Sequence, residues 1–188
     1  TDADTDADTD ADTDADTDAD TDADSDWIML ISSRTEELLI QVDPSTATAE
    51  IVGETDAHLY DLAYNEETHI LYGTDRTQLY TVDPWTGATD LIGGDIGGVD
   101  SMVFVDGELM AAHAGTLKVV DPTTGTYTRT VGSIGYSNIY GMAWDADARR
   151  LYALEYVYTD VHDVDEPTNW LIEIDPSSGA GTFIGDCE

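Results

Sequence analysis

Two groups of residues have types and spacing suited to chemistry. The first is threonine. Thr1, Thr5, Thr9, Thr13, Thr17 and Thr21 recur every fourth residue through six perfect copies of Thr-Asp-Ala-Asp, and Ser25 keeps a hydroxyl where the repeat breaks. Their neighbours are small or acidic, so the hydroxyls stand free, as in sugar-decorated stalks. In a polyproline-like chain four residues advance about 12 Å, and successive threonines point about 120° apart. That leaves room for one sugar per repeat and a coat spread evenly around the chain. A covalent sugar coat on these hydroxyls is one reading that the spacing allows. The Asn-linked route is closed, because Asn65, Asn138 and Asn169 are followed by Glu-Glu, Ile-Tyr and Trp-Leu.

The second group lies in Tyr156 to Trp170, YVYTDVHDVDEPTNW. Asp160, His162, Asp163, Asp165 and Glu166 could converge on a cation, with oxygen ligands that suit Ca²⁺. Tyr156, Tyr158 and Trp170 could form a stacking surface for sugars. Set against this, acidic insertions between strands are common and tolerated.

Other chemistry finds no motif. His58, His69, His113 and His162 are scattered, and no His-x-x-x-His or cysteine metal spacing occurs. There is no Gly-x-Ser-x-Gly and no phosphate loop. The expectation is a protein that is not an enzyme and has no cofactor beyond covalent glycans, with Ca²⁺ as an additional candidate.

Charge narrows the partners. The formal net charge is −35, and residues 27–188 alone hold 28 acidic against 6 basic residues, a net of −22. Such a surface disfavours nucleic acid and anionic membranes. It suits cations, cationic partners or high salt. No apolar run reaches the length of a membrane span. Cys187 is the single cysteine, so no intrachain disulfide forms. The chain opens in the middle of a perfect repeat, which reads as processing or as a fragment.

These residues are carried by two regions, a stem at 1–26 and a repeat domain at 27–188. In the stem, aspartate at every second position disfavours helix through like charges at i and i+4, and disfavours packed strand. The segment reads as extended and solvated. Ordering it takes bound cations, a covalent coat or packing in an assembly. In an extended chain its aspartates line one edge. Without a glycine to wrap an ion, that edge favours a diffuse counterion layer over a built site.

The repeat domain shows its period directly. LIQVDPSTATAEIVG (39–53), LYTVDPWTGATDLIG (79–93), LKVVDPTTGTYTRTVG (117–132) and LIEIDPSSGAGTFIG (171–185) align on Asp43, Asp83, Asp121 and Asp175. Upstream, Leu62-Ala63-Tyr64 matches Met102-Val103-Phe104 and Met142-Ala143-Trp144, and Leu71-Tyr72 matches Leu109-Met110 and Leu151-Tyr152. The runs are short, β-branched and often alternating, so they read as strands. Asp-Pro-x-(Thr/Ser)-Gly between the third and fourth run is hairpin chemistry. Ala47 replaces the glycine in the first unit, so a different turn is expected there. Tyr72, Tyr80, Tyr140, Tyr152, Trp85 and Trp144 read as packing between units.

Four strands in roughly 40 residues make a propeller blade. The pattern L-Y-x-V-D-P-x-T-G-x-x-x-x-I-G resembles the repeats of bacterial surface β-propeller proteins over about Trp27 to Gly185. The expected fold is all-β, with about four blades, the first lacking a strand, after an extended non-globular stem. The strand count is 3 + 4 + 4 + 4, and a small closed ring, an open arc and part of a longer molecule all fit it.

The stem is similar to the tetrapeptide-repeat glycofibril proteins, in which four-residue repeats are sheathed in O-linked sugars. That resemblance implies the threonines as glycan sites, an extracellular or cell-surface location and self-assembly with other copies. Carbohydrate is a further candidate partner. The resulting reading is a structural component of an extracellular O-glycosylated filament or stalk. The alternative is a cell-surface propeller that binds carbohydrate, protein or Ca²⁺ on an acidic spacer. A propeller hydrolase or lyase ranks last.

Overall fold

The computed structural model of the chain describes residues 29–157 and 168–187. The stem and the centre of the insertion lie outside them. The described residues form fifteen antiparallel strands in four sheets. Blade 1 contains β1 (Met29–Ser33), β2 (Leu38–Asp43) and β3 (Thr48–Glu54). Blade 2 contains β4 (Asp61–Asn65), β5 (Ile70–Thr74), β6 (Leu79–Val82) and β7 (Thr89–Gly93). Blade 3 contains β8 (Val99–Val105), β9 (Glu108–His113), β10 (Thr116–Asp121) and β11 (Thr126–Ser133). Blade 4 contains β12 (Ile139–Asp145), β13 (Arg150–Val157), β14 (Thr168–Ile174) and β15 (Gly181–Cys187). This is a four-bladed β-propeller arrangement whose first blade lacks its innermost strand.

The Asp-Pro turns are built as their sequence demands. The first carboxylate oxygen of Asp43, Asp83, Asp121 and Asp175 accepts the backbone N–H two residues on, each at 2.8 Å. The residue closing the turn has positive φ: 80° at Gly87, 64° at Gly125 and 81° at Gly179. The expectation of a different turn in blade 1 is corrected. Ala47 takes φ 56°, and its N–H donates to the Asp43 carbonyl at 2.8 Å, as Gly87 donates to Asp83 at 2.9 Å. Ser45 and Thr46 hydroxyls add two more bonds to the Asp43 carboxylate, which hold the turn in a conformation alanine resists.

One bulge recurs at the outer rim of each blade. The register slips between Leu39 and Ile40, Leu79 and Tyr80, Leu117 and Lys118, and Leu171 and Ile172. The skipped residues are Val52, Ile92, Val131 and Ile184. Val52, Ile92 and Val131 pack against the clusters between blades. A bulge re-aims a side chain by adding one residue to a strand, and here it aims a fourth-strand aliphatic at the next blade.

The core lies between blades rather than within them. One cluster joins blades 1 and 2 around Leu39, Leu59, Leu71 and Val82. Another joins blades 2 and 3 around Tyr72, Leu79, Met102 and Leu109. The third joins blades 3 and 4 around Met110, Leu117, Leu151 and Ile172. β4 lies beside β8, and β8 beside β12. No comparable contact joins a strand of blade 4 to one of blade 1 among the described residues. The described residues thus form an open arc rather than a closed ring.

Candidate functional site

The innermost strands of blades 2, 3 and 4 converge on one cleft of about 330 Å³. Its floor is apolar, with Leu62, Met102, Phe104, Met142 and Trp144, and its rim is acidic, with Glu66, Glu67 and Asp106. The rim comes from the turns between first and second strands, which the sequence marks with acidic and turn-forming residues. Asn65 organises one of them by accepting the Glu67 and Thr68 N–H groups at 2.9 and 3.2 Å. Arg149 spans two blades, donating to Asp106 at 2.6 Å while its guanidinium lies 5.9 Å from the Trp144 ring centre. Tyr64 and His69 pair at 3.0 Å at the mouth. An apolar floor under an acidic rim suits a ligand with one apolar face and hydroxyl or cationic groups.

Beside this cleft, Asp61 joins blade 2 to blade 3. It accepts the Met102 N–H at 2.7 Å and the Ser101 hydroxyl at 2.8 Å, and the Leu62 N–H at 3.0 Å. Burial raises its carboxyl above the ordinary value of 3.8, against the pull of these three bonds. At the other end of the blades, Tyr60 sits between two guanidiniums, Arg76 at 4.8 Å and Arg34 at 5.4 Å. Arg76 also donates to Asp100 at 2.6 Å. These are ties between blades, and Arg76 is matched by the Asp100 carboxylate.

Among the described residues no group of three His, Cys, Asp or Glu side chains converges as a metal site would. The two described histidines with polar partners use a tyrosine hydroxyl and a backbone carbonyl or carboxylate. No described serine, threonine or cysteine is hydrogen-bonded to one.

Of the residues singled out by sequence, Thr1, Thr5, Thr9, Thr13, Thr17, Thr21 and Ser25 lie outside the described residues. So do Tyr158, Asp160, His162, Asp163, Asp165 and Glu166. The flanks of the insertion are described, and they extend the hairpin: Glu155 pairs with Trp170 and Tyr156 with Asn169. Neighbouring pairs face opposite sides of a sheet. Tyr156 and Trp170 therefore do not share a stacking surface. Tyr156 packs edge-on against Tyr140 at 5.6 Å, and Trp170 against Phe183 at 5.5 Å. Tyr72 does pack between blades, 5.4 Å from Phe104. Trp85 does not: it is 72% exposed on its turn.

The Asp61 tie and the cleft were missed by sequence reasoning. The available signal was a carboxylate directly before the apolar run Leu62-Ala63-Tyr64, on a strand buried at the centre.

No known family profile matches the chain, and no curated protein matches it. Its fold is similar to that of Kuenenia stuttgartiensis hydrazine synthase, with a TM-score of 0.55, 16% identity, and coverage of 84% of this chain and 46% of that one. It is also similar to a chain of a nidogen/laminin complex, at TM-score 0.61 and 13% identity over 85% and 61% of the two chains. A third similar structure comes from work on the de novo evolutionary emergence of a symmetrical protein, at TM-score 0.57 and 16% identity over 85% and 74%. The chain thus spans about half to three fifths of the first two. At these identities the likeness concerns the propeller fold alone.

Proposed function

We propose that this chain is a structural component of an extracellular O-glycosylated filament or stalk, with the threonine stem as its sugar-coated rod and the propeller as its globular head. The observation that carries this reading is the spacing of Thr1 to Thr21. Six hydroxyls recur every fourth residue in a segment too acidic and too poor in apolar residues to pack by itself. The propeller fold of the head supports a binding or structural module.

The test is the intact mass of the natively isolated chain against the 20.3 kDa of the bare peptide. Hexose- or pentose-sized increments support the coated stem, and a bare-peptide mass discards it.

A second reading is favoured by the cleft between blades 2, 3 and 4. Its apolar floor and acidic rim would serve a cell-surface module that holds carbohydrate, a protein segment or Ca²⁺ on an acidic spacer. Glycan-array or calorimetric binding that is lost with Trp144→Ala would move weight to it.

A further inference from the structure

The three interfaces inside the arc use equivalent positions. Each blade offers an outgoing face to the next. Its third strand contributes Leu39, Leu79 or Leu117, all 0% exposed, and its second strand contributes Thr74 or Ala112, also 0%. Each following blade offers an incoming face, with Leu71, Leu109 or Leu151 and, two residues on, Gly73, Ala111 or Ala153, all buried.

At the two ends of the arc the same positions are apolar and uncovered. On blade 4, Leu154 stands where Thr74 and Ala112 are buried, and it is 41% exposed. Leu171 is only half-buried, and the bulge residue Ile184 is 47% exposed. On blade 1, Met29 and Ile31 occupy the positions of Leu71 and Gly73 and are 47% and 44% exposed. Residues 1–24 are Thr, Asp and Ala alone, without the large apolar side chains a blade packs with.

The backbone at the rim repeats this relationship. A Cβ on Gly53 would overlap the Thr86 carbonyl, one on Gly132 would overlap the Ser178 carbonyl, and one on Gly93 would touch the Thr124 carbonyl at 3.6 Å. In each case the glycine closing one blade lies against the Asp-Pro turn of the next. Gly185 holds the same place in blade 4, and a Cβ there would meet nothing within 4 Å. The exposed turn at the far end, Thr46-Ala47, is the matching half.

We infer that a second copy of this chain docks on the arc head to tail, the outgoing face of blade 4 in one copy covering the incoming face of blade 1 in the other. Each chain carries both halves of an interface that its own fold already forms three times, so a second copy offers the surface the first lacks. Contacts of this heterologous kind close into a ring or continue as a filament, according to the rotation per step. The joint differs from the internal ones at Ala47. A Cβ at the equivalent Gly87 or Gly179 would lie 2.9 or 2.8 Å from the backbone of the preceding blade, and one at Gly125 would overlap the Gly93 carbonyl. The rim contact must therefore open to admit the Ala47 methyl, and Ala47→Gly removes the obstruction. The inference is independent of what the stem carries.

Sedimentation equilibrium of the full chain tests it, in high salt to screen a strongly acidic head. The expected result is a mass above the monomer that rises with concentration. Met29→Asp alone and Leu154→Asp alone each give monomer, and Ala47→Gly tightens association several-fold. Both aspartates replace exposed side chains, so each variant keeps its fold, which circular dichroism verifies. Mixing the two variants restores dimer through the one intact joint. A wild-type chain that stays monomeric up to millimolar concentration overturns the inference. So does association that survives both substitutions, or a mixture that fails to restore dimer.

Discussion

Asp61 of blade 2 accepts the backbone N–H of Met102 in blade 3 at 2.7 Å, and this bond ties the two innermost strands at the centre of the propeller. The same oxygen takes the Ser101 hydroxyl. Asp61→Ala leaves both donors without a partner in a buried place, which costs about 1–3 kcal/mol. Asp61→Asn keeps an acceptor oxygen and costs less. Urea denaturation of the two variants beside the parent checks the order.

The same residue sets a pH dependence. Its folded pKa is raised above 3.8 by burial, so the folded state favours the neutral acid. Its contribution to stability is therefore full at low pH, and it declines as pH rises through 3.8 toward the raised value. Subtracting the stability profile of Asp61→Asn from that of the parent isolates this decline. A difference that is flat across that window contradicts the assignment.

Asp43 and Asp175 behave in the opposite sense. Hydroxyl bonds from Ser45 and Thr46 hold Asp43 down to about 2, and those from Ser177 and Ser178 do the same for Asp175. Their support of the turns is present above the ordinary 3.8 and is lost as pH falls through about 2. In an NMR titration the Ser45 and Ser177 amide protons shift with midpoints near 2, below those of exposed aspartates without such bonds.

Glycines in equivalent positions have unequal importance. Gly132→Ala drives a methyl group into the Ser178 carbonyl and costs about 1–3 kcal/mol or more. Gly185→Ala enters open space, and its effect on monomer stability stays within about 0.5 kcal/mol. Leucines follow the same rule. Leu117→Ala empties a fully buried site at a cost of about 2–5 kcal/mol, whereas Leu171→Ala, on the uncovered face, costs clearly less. Thermal denaturation at dilute concentration ranks the four variants, and equal costs at the paired positions would mean that the arc is closed.

Much of this fold is legible in the sequence because each strand is short and each turn carries its own chemistry. The fifteen strands, the Asp-Pro turns and the missing first strand of blade 1 follow from local residues. Three features do not. Ala47 adopts the glycine conformation because Ser45 and Thr46 anchor Asp43, a cooperative effect that the substituted residue does not reveal. Tyr156 and Trp170 part company because the hairpin extends far enough to place them in adjacent pairs, and a shift of one residue in register reverses a side chain's face. The open arc depends on the rotation between blades, which accumulates over three interfaces and is written in no single repeat. The cleft is equally collective, since its floor comes from three blades more than 35 residues apart in sequence. The glycan and cation candidates fall outside the described residues, so sequence alone speaks for them.

The coated stem is tested most directly by electron-transfer fragmentation of the natively isolated chain across Thr1 to Ser25. The account predicts sugar-sized mass steps that recur every fourth residue, at Thr1, Thr5, Thr9, Thr13, Thr17 and Thr21, with the intervening Asp and Ala unmodified. A fragment ladder of bare residues through this segment would contradict it.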